Sequence, residues 1–131
     1  MKKSVLFVCV HNAGRSQIAA GFLKKLAPSQ VEVRSAGSAP ATEINKMAIS
    51  VMSELEIDIS SQTPRMLNSE EVLSSDYVIT MGCGDACPIY PGKTYLDWVI
   101  NDPAGKSIDE VRKIRDEIEQ KVRELLVEIG S

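Results

Sequence analysis

The chain has 131 residues, of which 44% are hydrophobic and 25% charged, with a net charge of −3. That length suits one domain spanning 1–131, since a chain of this size buries roughly two-thirds of its unfolded surface. The charge balance and the lack of a basic stripe exclude a general nucleic-acid binder. No apolar run approaches the roughly 20 residues needed to cross a membrane.

In chain order, Ser4 to Cys9 is continuously apolar after its serine and carries Val5, Phe7 and Val8, which predicts a buried strand. With Met1-Lys2-Lys3 ahead of it, this run is too short for a secretory signal, so a cytoplasmic location is expected. Gln17 to Leu26 carries Ile18, Ala19, Phe22, Leu23 and Leu26 at helical spacing, and Pro28 stops it. Val31 to Ser35 alternates and predicts a strand near a sheet edge, followed by a loop over Ala36 to Pro40. Ile44 to Leu55 has the apolar period of a helix. Asn68 and Glu71 have capping-box spacing for a short helix through Leu73. Tyr77 to Met81 predicts a third buried strand, Gly82 to Gly92 a long loop, and Thr94 to Trp98 a short fourth strand. Asp102 to Gly105 is a turn. Ser107 and Glu110 cap a final helix with its apolar face on Ile108, Val111, Ile114, Ile118, Val122, Leu125 and Ile129. Pairs Glu117/Lys121 and Glu119/Arg123 lie four apart on its outer face.

Strands alternating with helices predict an α/β fold with a four-stranded, mainly parallel sheet. Right-handed crossovers then bring the loops that begin at Cys9, Gly37, Gly82 and Trp98 to one sheet edge.

Between the first strand and helix lies Cys9-Val10-His11-Asn12-Ala13-Gly14-Arg15-Ser16. A short loop at this place can turn successive backbone N–H groups inward, at the positive end of a helix, and bind an anion through residues 10–15. Arg15 adds a bidentate guanidinium. Cys9 sits at the rim of that positive field as a thiolate nucleophile, and Ser16 can donate its hydroxyl to the sulfur. No Gly-Lys-Ser/Thr closes the loop, so a nucleotide-binding P-loop is not expected. Asp102 is the candidate general acid, because an oxygen departing from a tetrahedral oxyanion needs a proton. Three cysteines are an odd number, which excludes a fully paired framework in a monomer. Cys83 and Cys87, in the Gly-rich loop, read as a redox pair or as zinc ligands with Cys9 and His11; the zinc set is the weaker case, and no metal is expected. His11 is expected to shape the loop or face the substrate. Arg65 is expected at the surface, Tyr95 and Trp98 to pack under the acid loop, and Asp85, Glu43 and Asp58 to be solvated.

Cys9-X5-Arg15-Ser16 resembles the phosphate loop of the low-molecular-weight protein tyrosine phosphatase fold. Ser35-Ala36-Gly37 and Asp102-Pro103 resemble its next motif and its general-acid motif, and the likeness runs along essentially the whole chain. It implies a three-layer α/β/α domain. Met81-Gly82-Cys83-Gly84-Asp85-Ala86-Cys87-Pro88 is similar to the arsenate reductase branch. That resemblance implies arsenate reduction: Cys9 forms a thiol-arsenate adduct, Cys83 attacks Cys9 as arsenite leaves, and Cys87 moves the disulfide to the loop. It also implies an external thiol reductant (thioredoxin, glutaredoxin or mycothiol), no tightly bound cofactor, and a monomer. Gly14 stands where thioredoxin-coupled members usually carry a second cysteine, and Ala20 where many carry an acidic residue associated with potassium. The Cys83-X3-Cys87 spacing is shorter than theirs. Relatives that use mycothiol, in which the external thiol attacks the adduct directly, carry similar sequences here. A tyrosine phosphatase is the alternative, against which Ala104 and Gly105 stand where those enzymes place aromatic residues. A thiol-based metalloid or zinc sensor is disfavoured by the lack of a DNA-reading element.

Overall fold

The computed structural model describes residues 3–81 and 92–130. Four strands, β1 (Lys3–Cys9), β2 (Val31–Gly37), β3 (Tyr77–Thr80) and β4 (Thr94–Asp97), form one sheet in the order β2-β1-β3-β4. Every pairing is parallel: Val5 lies opposite both Val33 and Tyr77, and Ile79 opposite Leu96. The helices are α1 (Arg15–Leu26), α2 (Lys46–Ser53), α3 (Ser69–Ser74) and α4 (Ile108–Gly130). β2 is an edge strand, as its alternation predicts.

The two-residue pleat of β1 assigns the faces. Val5, Phe7 and Cys9 enter the larger core with α1, α2 and α4. Leu6 and Val8 enter a smaller cluster with Ala36, Val78 and Val72 of α3, flanked by Leu67 and Tyr95. The three layers are therefore unequal in thickness. On α4 the buried apolar residues are Val111, Ile114, Ile118, Val122 and Leu125, the predicted face, with Arg115 buried beside them. The Arg115 guanidinium donates to the Val51 carbonyl at 2.9 Å and pairs with Glu54 at 2.8 Å, tying α4 to α2.

Both predicted N-caps form, and at Ser107 the box is closed by the Ser107 N–H donating to Glu110 Oε1 at 3.4 Å, whereas at Asn68 the Glu71 carboxylate receives the side-chain Nδ2 instead. The Asn68 side chain accepts from Glu71 N–H at 2.9 Å, and Ser107 Oγ accepts from Glu110 N–H at 3.3 Å. Of the two surface pairs, Glu119 and Arg123 close to 2.9 Å. Three expectations are corrected. β2 runs on through Ala36 and Gly37, because both keep their register with Val8 and Cys9. α2 is shorter than the periodicity from Ile44 to Leu55 suggests: Asn45 accepts from the N–H groups of Met47 and Ala48, so the helix starts at Lys46, and it ends at Ser53. Tyr95 and Trp98 do not share a site. Trp98 joins the larger core, its ring centroid 5.7 Å from that of Phe7, whereas Tyr95 projects to the opposite face.

In this strand order the connections leave β1 and β3 in opposite directions. The carboxyl end of β1 is thus beside a topological switch point, where α/β sheets open a crevice. Cys9 is the last residue of β1.

Candidate active site

The turn from β1 into α1 is held open by its carbonyls. Those of Cys9, Val10, His11 and Ala13 accept from the N–H groups of Ser38, Ala39, Ala41 and Asn45, at 3.3, 2.8, 2.9 and 2.8 Å. The Asn12 carbonyl accepts from Gln17 Nε2 at 2.8 Å, and that of Gly14 from Ile18 N–H at 2.9 Å. Six successive carbonyls are thereby drawn to the outside of the loop. No backbone N–H of residues 10–15 donates to another described residue. α1 also has no side-chain N-cap and no acidic residue in its first turn. The loop amides and the helix terminus together form a site for a negatively charged ligand.

Two glycines make this geometry possible. A Cβ on Gly37 would lie 2.6 Å from the Val10 carbonyl oxygen, so only glycine lets β2 pass under the loop. This is the physical content of Ser35-Ala36-Gly37. A Cβ on Gly14 would lie 2.6 Å from Pro103 Cγ, so the Asp102-Pro103 turn rests directly on the loop.

The residues brought together are Cys9, His11, Ala13, Gly14, Arg15, Ala41, Asn45, Asp102, Pro103 and Ala104, around a cleft of about 170 Å³. Cys9 is 2% exposed. Arg15 Nη1 donates to the Ile100 carbonyl at 3.3 Å, and Nη2 lies 3.7 Å from Asp102 Oδ2. The Asp102 side chain is 45% exposed, which lets it exchange protons with solvent, and its Oδ1 accepts from Ala104 N–H at 3.0 Å. A thiol, a guanidinium and a carboxyl group thus share one cleft. Such a set can transfer a tetrahedral oxyanion to sulfur, with the departing oxygen protonated.

Val10, Asn12 and Ser16 do not line the cleft. Ser16 is fully buried behind it, its Oγ 2.9 Å from Cys9 Sγ. Asn12 is also fully buried and has φ of +51°, a left-handed conformation that asparagine tolerates. Its side chain braces the loop from behind: Nδ2 donates to Ser16 Oγ at 2.6 Å, and Oδ1 accepts from Arg65 N–H at 2.9 Å. Arg65 is therefore not a plain surface residue. Its side chain is 47% exposed, yet its N–H holds the loop. Gln17, Gln62 and Thr63 complete the support: Gln17 Nε2 reaches the Thr63 carbonyl at 3.3 Å, and Gln62 Nε2 reaches Gln17 Oε1 at 2.6 Å. Sequence reading missed these residues, because polar side chains in a helix and an irregular segment carry no periodic signal.

Cys83, Cys87 and Asp85 lie outside the described residues. Among the described residues no group of three or more His, Cys, Asp or Glu side chains could hold a metal ion. Among them, too, no helix is long and apolar enough to cross a membrane.

The chain is similar to known proteins along nearly its whole length. Arsenate reductase 2 of Staphylococcus saprophyticus is 38% identical over 127 residues, covering 94% of this chain and 95% of that protein. The solved thioredoxin-dependent arsenate reductase of Corynebacterium glutamicum superposes with a TM-score of 0.88 at 50% identity; the match covers 98% of this chain but 62% of that longer one. An arginine phosphatase of Geobacillus stearothermophilus gives a TM-score of 0.85 at 28% identity, over 98% of this chain and 93% of its own. The family model for low molecular weight phosphotyrosine protein phosphatases matches residues 4–131. With its anion loop, its buried cysteine and its Asp-Pro turn in place, the chain belongs to the low molecular weight phosphotyrosine protein phosphatase family.

Proposed function

We propose that this chain is a thiol-dependent arsenate reductase with Cys9 as its nucleophile. One observation carries the reading. The cleft joins Cys9 to Arg15 and Asp102 but, among its described lining residues, has no Phe, Tyr or Trp to clasp an aryl group. A bare tetrahedral oxyanion suits it better than a phosphotyrosine ring. The arsenate reductases among the relatives support the same choice.

The Cys9 thiolate attacks arsenic, and one arsenate oxygen leaves as water after taking a proton from Asp102. The loop amides and Arg15 hold the remaining oxygens. Cys83 then attacks the Cys9 sulfur: an S–S bond forms, the S–As bond breaks, and its electron pair stays on arsenic, which departs as arsenite. Cys87 attacks Cys83 and releases Cys9, leaving a Cys83–Cys87 disulfide for an external dithiol to reduce. Thioredoxin is the favoured reductant over glutaredoxin or mycothiol, in line with the thioredoxin-dependent relative. The protein acts as a monomeric, cytoplasmic, single domain over 1–131 without a tightly bound cofactor. Phosphate-ester hydrolysis is the second reading, favoured by the family and by the arginine phosphatase relative. It uses the same Cys9, Arg15 and Asp102, with water in place of the second thiol.

The test is arsenate-dependent NADPH oxidation supplied in turn by thioredoxin, glutaredoxin/glutathione and mycothiol/mycoredoxin systems. Turnover with thioredoxin is expected, abolished by Cys9→Ser and by either Cys83→Ser or Cys87→Ser. Full turnover in both loop-cysteine variants means that an external thiol attacks at Cys9. No turnover in any system, with rapid aryl-phosphate hydrolysis, overturns the proposal in favour of the phosphatase.

A further inference from the structure

Behind the cleft, a chain of hydrogen bonds has a fixed direction. The Arg65 backbone N–H can only donate, so the Asn12 carboxamide must turn its oxygen to it. Asn12 Nδ2 then faces Ser16 Oγ and can only donate, which makes Ser16 Oγ the acceptor there. The Ser16 proton is left for Cys9 Sγ, 2.9 Å away. The orientation of the hydrogen bond that supports the thiolate thus originates at residue 65.

Residue 65 is held in place by a backbone bridge between Gly37 and Met66 and by its own side chain. Arg65 Nη1 donates to the Ser35 carbonyl at 3.3 Å, and Nη2 pairs closely with Glu71 Oε1. The Arg65 carbonyl accepts from Gly37 N–H at 2.8 Å. The Glu71 side chain is only 9% exposed, receives Asn68 Nδ2 at 3.2 Å on the same oxygen, and among the described residues has no partner for Oε2. A buried carboxylate with one oxygen unpaired needs a countercharge, and Arg65 is the cation beside it. The guanidinium therefore clamps two elements, the end of β2 and the start of α3, while the backbone N–H of the same residue reaches the loop's Asn12.

We infer that Arg65 is a positioning residue for the Cys9 centre: its guanidinium, fixed between Ser35 and Glu71, aims its backbone N–H at Asn12 and so directs the Ser16 proton to the Cys9 sulfur. The inference rests on the assignment of Cys9 as nucleophile and deepens it. Lysine is no equivalent, because a single ammonium lacks the planar fork that spans two acceptors.

The experiment is alkylation of Cys9 by iodoacetamide across a pH series, followed on the Cys9 peptide by mass spectrometry. The charged and titratable groups at the cleft, His11, Arg15 and Asp102, are unchanged in the variants. Losing one directed hydrogen bond to the thiolate predicts about three- to tenfold slower alkylation of Arg65→Met at neutral pH. The gap should close at alkaline pH, where the thiol ionises without help, and Arg65→Lys should fall between the two. A folded Arg65→Met with the wild-type profile overturns the inference, as does equal slowing at every pH, which reports lost access. If Arg65→Met does not fold, Arg65→Lys decides, and a wild-type rate in it overturns the inference. Since alkylation needs no arsenate, an absence of arsenate turnover in the wild type would refute the proposed activity and leave this result standing.

Discussion

Gly14→Ala isolates how the acid loop is seated. The added Cβ would stand 2.6 Å from Pro103 Cγ, and ordinary contact begins near 3.4 Å, so the ring must retreat by about 0.8 Å. Pro103 is a ring bonded to the backbone, so the turn moves with it, and Asp102 moves with the turn. Displacing a catalytic group by about 1 Å costs on the order of a hundredfold in rate, or about 2.7 kcal/mol of barrier. The fold should survive, because the cleft is open and nothing in the core depends on this contact. The assay is pre-steady-state formation of the Cys9 adduct with arsenate, measured for wild type, Gly14→Ala, Asp102→Asn and the double variant. If alanine acts by moving the acid, the double variant is no slower than Asp102→Asn alone, since the same interaction cannot be lost twice. Adduct formation at the wild-type rate in Gly14→Ala would refute the reasoning. Full additivity would place the effect in the anion loop instead.

Gly37→Ala should be worse for folding than for chemistry. Its Cβ would meet the Val10 carbonyl oxygen at 2.6 Å, a methyl against backbone that cannot swing aside, so a loss of about 1–3 kcal/mol by chemical denaturation is expected, and an unchanged midpoint would contradict the close packing. A second variant probes acid stability. The Arg112 guanidinium, with Arg115 behind it, holds the Glu54 carboxyl below its ordinary value of 4.5. A carboxylate lowered on folding stabilises above its unfolded value and loses that contribution as pH falls through the folded one. Thermal melts should therefore show wild type dropping more steeply than Glu54→Gln below about pH 4.5, and parallel curves would exclude the link.

Local chemistry made much of this molecule legible. The apolar run ending at Cys9, the helical periods after Arg15 and Ser107, and the caps at Asn68 and Ser107 are each written within a few residues. The structure returns them nearly in place. The strand-loop-helix placement of Cys9, Arg15 and Ser16 named the anion site for the same reason: a loop and the helix it opens are neighbours in sequence. The limits of α2 are not legible in the periodicity, because the apolar pattern extends on both sides of the segment that the Asn45 cap opens. Tyr95 and Trp98 are close in sequence but lie on opposite faces, because the pleat alternates even in so short a strand.

By itself, the sequence determined the elements, the parallel α/β class and the loop that carries Cys9, because helix and strand periods, caps and motif spacing act over a few residues. Only the tertiary structure decided what makes that loop a site. Its carbonyls are held outward by residues 38–45, its shape depends on two glycine contacts with Val10 and Pro103, and its Ser16 proton is aimed from Arg65. Each of these is an approach between segments distant in sequence. Hydrogen bonds and steric contact act over a few ångströms, so the partners exist only once the chain has folded.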